Sequence, residues 1–320
     1  MLIISSALAA IIPMSVYLYL IWKFDRYDRE PFKLVLVNYL WGALGAIVLS
    51  LIGSIIITFI LSVFIKDPSI LTKTSSIFVA PIVEEITKGS FLLITVASRK
   101  FDNITDGIVY GGAIGLGFGM TENFFYFISF GQTVPSWIML VIVRSLFSGV
   151  MHCVSTATLG AFFGFAKFKT SSERIFYGLV GLIIAILIHA TWNFSLSFEK
   201  IAPLGFLFLF ISIIIFIITF AVSLNGERKI IFTELKEECD NGLIPQMHLS
   251  ILSSAKREQK GWLDEKIRKI YIKAATTLAF RKVQLRQSNG LSKVYYEKDI
   301  ENYRNFISNL LSNQKDRFQL

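Results

Sequence analysis

Ionisable side chains lie inside segments that are otherwise apolar enough to cross a lipid bilayer, and this conflict leaves the chain few possible folds. Apolar runs cover approximately residues 2–22, 35–64, 75–97, 106–130, 137–166, 175–196 and 203–224. Each can span about 30 Å of hydrocarbon. The third to sixth contain Glu84, Glu85, Lys88, Glu122, Arg144, His152 and His189. A charge at the bilayer centre costs roughly 2.5–3.5 kcal/mol on insertion scales. Such groups need partners, a wet cavity or a chemical task. Backbone polar groups in lipid must also be satisfied within the protein, which favours helices. The expected fold is all-α: a polytopic membrane bundle of about seven transmembrane helices with a soluble helical C-terminal tail.

Composition agrees. The 320 residues are 53% hydrophobic and 17% charged, whereas soluble domains carry about 25% charged residues. Beyond residue 225 the chain holds 18 Lys/Arg against 12 Asp/Glu, so +6 of the net +9 charge falls there. This predicts a membrane domain over 1–225 and a basic helical tail over 226–320. A basic amphipathic helix is expected from about Trp262 to Arg286 and another from near Asp299, with turns at Asn241-Gly242 and Asn289-Gly290. No nucleic-acid-binding motif accompanies the charge. The tail reads as a solvated extension that follows the charge bias of cytoplasmic segments. Its open roles are regulating access, binding a cytoplasmic partner or lying on anionic lipid of the bilayer. Cys153 and Cys239 are too few and too differently placed for a disulfide framework.

The first apolar stretch has no basic residue before it and no small-residue cleavage site after it. It reads as an uncleaved span with its N-terminus outside. The inner loops then carry Lys23, Arg26, Arg29, Lys33, Arg99, Lys100, Lys167, Lys169 and Arg174, against Lys66, Lys73 and Lys200 outside. The positive-inside bias supports this orientation, a multi-pass protein of the cell membrane with a cytoplasmic tail.

Gly107, Gly111, Gly115 and Gly119 form an i, i+4 stripe on the fourth span, where a neighbouring helix can approach closely. The stripe sets Glu122 and Asn123 against that neighbour. FFYF at 124–127 is expected to be lipid-facing or packing surface. From the 1.5 Å rise per residue, Glu84, Glu122 and His189 lie at similar depths below the outer ends of their helices, with Asn193 one turn nearer the outside and His152 deeper. Glu84 and Lys88 share a face, an arrangement that favours an ion pair. Glu85 points about 100° away, so the two glutamates need not do the same job. Arg144, Ser148 and His152 form a polar stripe, and Lys88 and Arg144 read as charge partners for the glutamates. Four helices thus bring carboxylate, imidazole and amide groups to compatible depths.

Peptide hydrolysis needs these groups. A glutamate in a low dielectric serves as base and then acid, and a histidine orients water or relays the proton. An asparagine amide stabilises the oxyanion. Alternatively, Glu122, His152 and His189 would hold zinc, assembled across helices because no H-E-x-x-H motif is present. The expectation is a site of Glu84, Glu85, Glu122, His152, His189 and Asn193, supported by Lys88, Asn123 and Arg144, with no cofactor and zinc as the alternative.

At these residues the chain resembles the PrsW family of intramembrane proteases, and more distantly the type II CAAX prenyl endopeptidases and their bacterial Abi relatives. EEITK matches the family's E-E-x-x-K, GFGMTEN its F-x-x-x-E-N, and HATWN its H-x-x-W-N. His152 followed by Gly160 and the DREP at 28–31 complete the likeness, which covers about residues 1–225. The CAAX enzymes carry histidine at the position of Glu122 and arginine at that of Lys88, a departure from prenylated-protein processing. The resemblance implies a site-1-type first cut, on the extracytoplasmic side, in a membrane-anchored anti-sigma factor. It also implies Glu84 or Glu85 as the water-activating carboxylate, assisted by Glu122 and His152, with His189 and Asn193 near the scissile carbonyl. The rival readings are an ion-coupled transporter, which lacks the expected internal duplication, and a non-catalytic scaffold built on the glycine stripe.

Overall fold

The computed structural model describes residues 2–98 and 100–315, so Arg99, one of the expected inner-loop charges, lies outside the described residues. Among those residues there are helices and no strands. In chain order they are α1 (Leu2–Phe24), α2 (Phe32–Phe64), α3 (68–96), α4 (Ile104–Phe130), α5 (Val134–Ala166), α6 (Ser171–Leu196) and α7 (Ala202–Asp240). Then follow α8 (Gln246–Leu252), α9 (Glu265–Gln287) and α10 (Leu291–Lys315).

α1, α2, α5, α6 and α7 are long and apolar enough to cross a membrane. α3 and α4 occupy the places of the third and fourth expected spans but are less apolar, because α3 carries Glu84, Glu85 and Lys88 and α4 is rich in glycine. α4 has little need of an apolar outer face. Its residues 105–119 are buried without a break, so its neighbours are other helices.

Local chemistry sets the helix ends. Asn103 and Asp106 cap α4 reciprocally, and Thr170 and Glu173 do the same for α6. Asp67 accepts from the backbone N–H groups of Ser69 and Ile70, with Pro68 at the first helical position of α3. The glycine stripe then decides how α4 meets α5. A Cβ on Gly107 would lie 1.9 Å from the Gly160 carbonyl oxygen, and one on Gly115 would lie 2.1 Å from that of His152. The two backbones touch, and Glu122 and His152 are carried in with them.

Three of these helices contain a π turn: Trp41–Ala46 in α2, Ser75–Val79 in α3 and Arg144–Ser148 in α5. Such a turn leaves carbonyls without their usual helical partner, and π turns often mark functional sites. Side chains donate to a carbonyl of each turn, although that of Arg144 also accepts from the Gly149 backbone N–H. Thr121 Oγ1 donates to the Ala43 carbonyl at 2.8 Å, Asn123 Nδ2 to Arg144 at 3.4 Å and Asn193 Nδ2 to Ser76 at 2.9 Å.

The chain divides into two compact units. One comprises α1 and residues 30–220; the other comprises Asp25–Arg29 and the chain from Ala221. The second unit is packed on Ile231, Leu235, Tyr271, Ala275, Leu278, Ile300 and Ile307. Within it, buried Lys282 donates to Glu237 at 2.7 Å and Glu238 at 2.8 Å, and Arg304 also binds Glu238. Arg257 donates to the Tyr27 carbonyl and to Thr276, each at 3.0 Å, which draws the short loop into this unit. Gly242 and Gly290 adopt φ of 75° and 60° at the two Asn-Gly sites, as turns there require. α10 begins at Leu291, eight residues before the expected Asp299, because Gly290 ends the turn and the helix continues unbroken from there.

Candidate active site

Glu85 is the most heavily bonded of the polar side chains on α3. Its Oε1 accepts from Lys88 Nζ at 2.5 Å and Ser155 Oγ at 3.0 Å, and lies 3.0 Å from His189 Nδ1. Its Oε2 accepts from Thr156 Oγ1 at 3.1 Å. An ionised carboxylate offers about four acceptor sites, so Glu85 has little capacity left for water, and it is fully buried. Lys88 therefore does not pair with Glu84 at i, i+4, as its spacing suggested, but with Glu85 at i, i+3. The reason lies in α5: Ser155 and Thr156 draw the Glu85 carboxylate to a point that Lys88 also reaches. Lys88 Nζ is also 3.2 Å from His152 Nδ1 and 4.5 Å from the Phe118 ring centre.

Removing that ammonium leaves a desolvated carboxylate without its cation. Lys88→Met is expected to destabilise the protein by about 3–5 kcal/mol, read as an earlier unfolding midpoint in detergent. A midpoint equal to that of the unaltered protein would contradict this.

Glu122 belongs to a second group. Its Oε2 accepts from Arg144 at 2.6 Å and lies 2.7 Å from His152 Nε2. Arg144 Nε donates to Asn123 Oδ1 at 3.0 Å. The guanidinium lies 3.5 Å from the Tyr126 ring centre, a favourable cation–π arrangement. Tyr126 thus faces a charge, and Phe127 is fully buried against Trp137. The FFYF run therefore divides between exposed surface, at Phe125 and Tyr126, and packing surface, at Phe127.

Glu84 joins the two groups. Its carboxylate oxygen and one ring nitrogen from each of His152 and His189 all lie within 4.8 Å of one another. This differs from the expected grouping of Glu122, His152 and His189. Arg144 holds Glu122 by its Oε2, whereas Glu84 Oε2 is buried, has no hydrogen-bond partner and lies 3.8 Å from His189 Nε2. Two imidazoles and a carboxylate make a zinc-type donor set. His189 is also oriented as metal-binding histidines usually are, with its far nitrogen against the Glu85 carboxylate. The residues fit a divalent ion. The rings of His152 and His189 meet edge-on, 4.8 Å between centres.

Asn193 shares a face with His189, but its amide is engaged with the Ser76 carbonyl. Sequence reasoning missed Ser155 and Thr156. They follow His152 by three and four residues, so the same-face argument applied to Glu84 and Lys88 would have found them. Thr121 and Ser76 left no comparable signal, because each acts through a π turn on a different helix.

All of these side chains fall within residues 30–222, the stretch matched by the sequence profile of the PrsW family intramembrane metalloproteases. The chain belongs to the PrsW family. It is a membrane protease acting on protein substrate. It is 28% identical over 235 residues to Protease PrsW of Clostridioides difficile (strain 630), covering 72% of this chain and 96% of that protein. It is likewise 28% identical over 207 residues to Protease PrsW of Bacillus subtilis (strain 168), covering 61% and 83%. Protease PrsW of Geobacillus kaustophilus (strain HTA426) shows 28% identity over 196 residues, covering 61% and 79%. No solved structure matches the chain. Much of the second compact unit lies beyond the PrsW match.

Proposed function

We propose that the protein hydrolyses a peptide bond in a membrane-anchored regulator, an anti-sigma factor or a protein of that kind, by a metal-dependent mechanism. The observation that carries this reading is the meeting of Glu84, His152 and His189, from three helices, within 4.8 Å. These three would hold a divalent ion, zinc by donor type. Such an ion supplies Lewis acidity that polarises the scissile carbonyl and acidifies water.

The other side chains take separate tasks. Glu122, bound to Arg144 and His152 through Oε2 alone, keeps Oε1 for the attacking water. It takes the water proton and passes it to the leaving amine. Glu85 orients His189, with Lys88, Ser155 and Thr156 holding Glu85 in turn. Asn193 donates to the carbonyl oxygen as negative charge develops there, a contribution of about 3–4 kcal/mol for one donor. Arg144 and Asn123 keep Glu122 in position.

We further infer seven membrane crossings, with α3 and α4 added to the five strongly apolar helices, the N-terminus outside and the basic tail in the cytoplasm. The excess of basic residues in the inner loops supports this orientation.

Two experiments test the proposal. Purified protein is expected to lose cleavage after exhaustive chelation and to regain it with zinc. Full activity after chelation would make Glu84 a metal-free base instead. Co-expression with single-span candidates, followed by N-terminal sequencing of the fragments, is expected to place the cut on the extracytoplasmic side. Fragments cut only within cytoplasmic segments would overturn the orientation.

A further inference from the structure

Ser76 carries a carbonyl that α3 cannot satisfy by itself. The Ala80 N–H reaches five residues back to Ser75, and the next residue, Pro81, has no N–H to give. Asn193 on α6 covers the gap, its amide 2.9 Å from the Ser76 oxygen. The carbonyls of Ala43 and Arg144 also accept from side chains, but those bonds are partly or fully buried, and Arg144 has the Gly149 N–H as well, whereas the Asn193–Ser76 bond lies at an exposed surface. Ser76 and its neighbour Phe78 are both exposed. Asn193 is one helical turn from His189, whose Nε2 faces Glu84. A polar donor and a polar acceptor therefore face each other beside the site, joined by one bond that can be exchanged.

We propose that the Asn193 amide and the Ser76 carbonyl form a latch opened by the substrate backbone. An arriving peptide gives an N–H to Ser76 and receives the Asn193 amide at a carbonyl, so one hydrogen bond is lost and two are formed. The gain is largest where water is scarce, because unpaired polar groups are costly there. The substrate must offer a free N–H and a free C=O close together. The interior of a helix cannot, since its groups are already paired. The ligand class is thus an extended, non-helical stretch of a membrane-anchored protein, read through its backbone rather than its side chains. This deepens the protease reading and rests on it for the role of Asn193.

The test uses the full chain in lipid nanodiscs, with p-benzoylphenylalanine replacing Phe78. The probes are two synthetic single-span peptides, each with about 20 Leu/Ala residues. One continues into an unstructured Gly/Ser-rich segment and the other into a helix-forming Ala/Glu/Lys segment. Photo-cross-linking is expected to favour the unstructured probe at least about fivefold. Pro81→Ala restores an N–H five residues beyond Ser76, the spacing that Ala80 already uses, so it caps the Ser76 carbonyl with the π turn and the phase of α3 retained. Asn193 keeps the second acceptor site, and the substrate N–H finds none. The substitution favours helix, and folding is therefore preserved. It is expected to raise the half-saturating concentration of the unstructured probe about 3–10-fold, the worth of one hydrogen bond, with turnover changed less than about twofold. Equal labelling of the two probes, no labelling of either, or an unchanged half-saturation in Pro81→Ala would each overturn the latch. Labelling as expected without cleavage would leave the latch standing and remove the protease reading.

Discussion

Glu84→Gln is expected to lower turnover by about 10²–10⁴-fold while leaving the fold intact. The side chain keeps its size, and the oxygen it alters, Oε2, has no hydrogen-bond partner to lose. Its nearest ring nitrogen, His189 Nε2, is 3.8 Å away, too far for a strong bond. A neutral amide is a poor ligand for a zinc-type ion and a poor base, so activity falls on either mechanism. Metal content separates them: under the metal-dependent mechanism the variant binds less zinc at equilibrium dialysis, with an unchanged unfolding midpoint. Glu85→Gln behaves differently, because it disturbs a carboxylate that serves Lys88, Ser155, Thr156 and His189. A Glu84→Gln protein retaining more than about a tenth of its turnover would remove Glu84 from the chemistry.

Gly115→Ala should be among the most damaging single-methyl additions in the chain. The new Cβ would lie 2.1 Å from the His152 carbonyl oxygen and 2.6 Å from its carbonyl carbon. Both are backbone atoms that no side-chain rotation can move. α4 and α5 must separate, which costs about 3 kcal/mol or more and shifts His152 relative to Glu84. Two substitutions serve as controls. At Gly112, on the same helix but off the stripe, the nearest atom is Cys153 Sγ at 3.3 Å, so alanine needs only a small adjustment. At Gly226 nothing lies within 4 Å, and alanine there is expected to stabilise the helix by about 0.5–1 kcal/mol. Folded yield and thermal midpoint in detergent should follow the order Gly226, Gly112, Gly115, from mildest to most damaging. A Gly115→Ala protein as stable as the Gly112 variant would show that the close approach of α4 and α5 is dispensable.

Much of this arrangement is legible in the residues alone. The apolar runs specify helices, because a backbone in lipid must satisfy its own hydrogen bonds. The glycine spacing at 107, 111, 115 and 119 marks the face on which α4 meets its neighbour. Helical rise gives similar expected depths for Glu84, Glu122 and His189 and a deeper one for His152, since depth depends only on distance along one helix. Individual pairings are less accessible. Helical phase favours Glu84 as the partner of Lys88 until Ser155 and Thr156, about seventy residues away in sequence, are seen to hold Glu85.

The grouping of donors shows the same division. Periodicity identifies the carboxylates and imidazoles that face inward, but it cannot tell which oxygen an arginine on another helix will occupy. Arg144 takes Glu122 Oε2, and Glu84 is left beside both histidines. The π turns are harder still. Pro81 explains the unused Ser76 carbonyl only after the five-residue spacing of Ala80 is known.

Sequence by itself therefore determined the helical class, the membrane setting, the inventory of reactive groups and their approximate depth, because all of these depend on local spacing and apolar length. Tertiary structure alone decided which carboxylate stands free, which is saturated, and which carbonyls are left for side chains to cover. Those outcomes depend on the rotation of each helix against its neighbours, and glycine contacts and π turns set that rotation through atoms far apart along the chain.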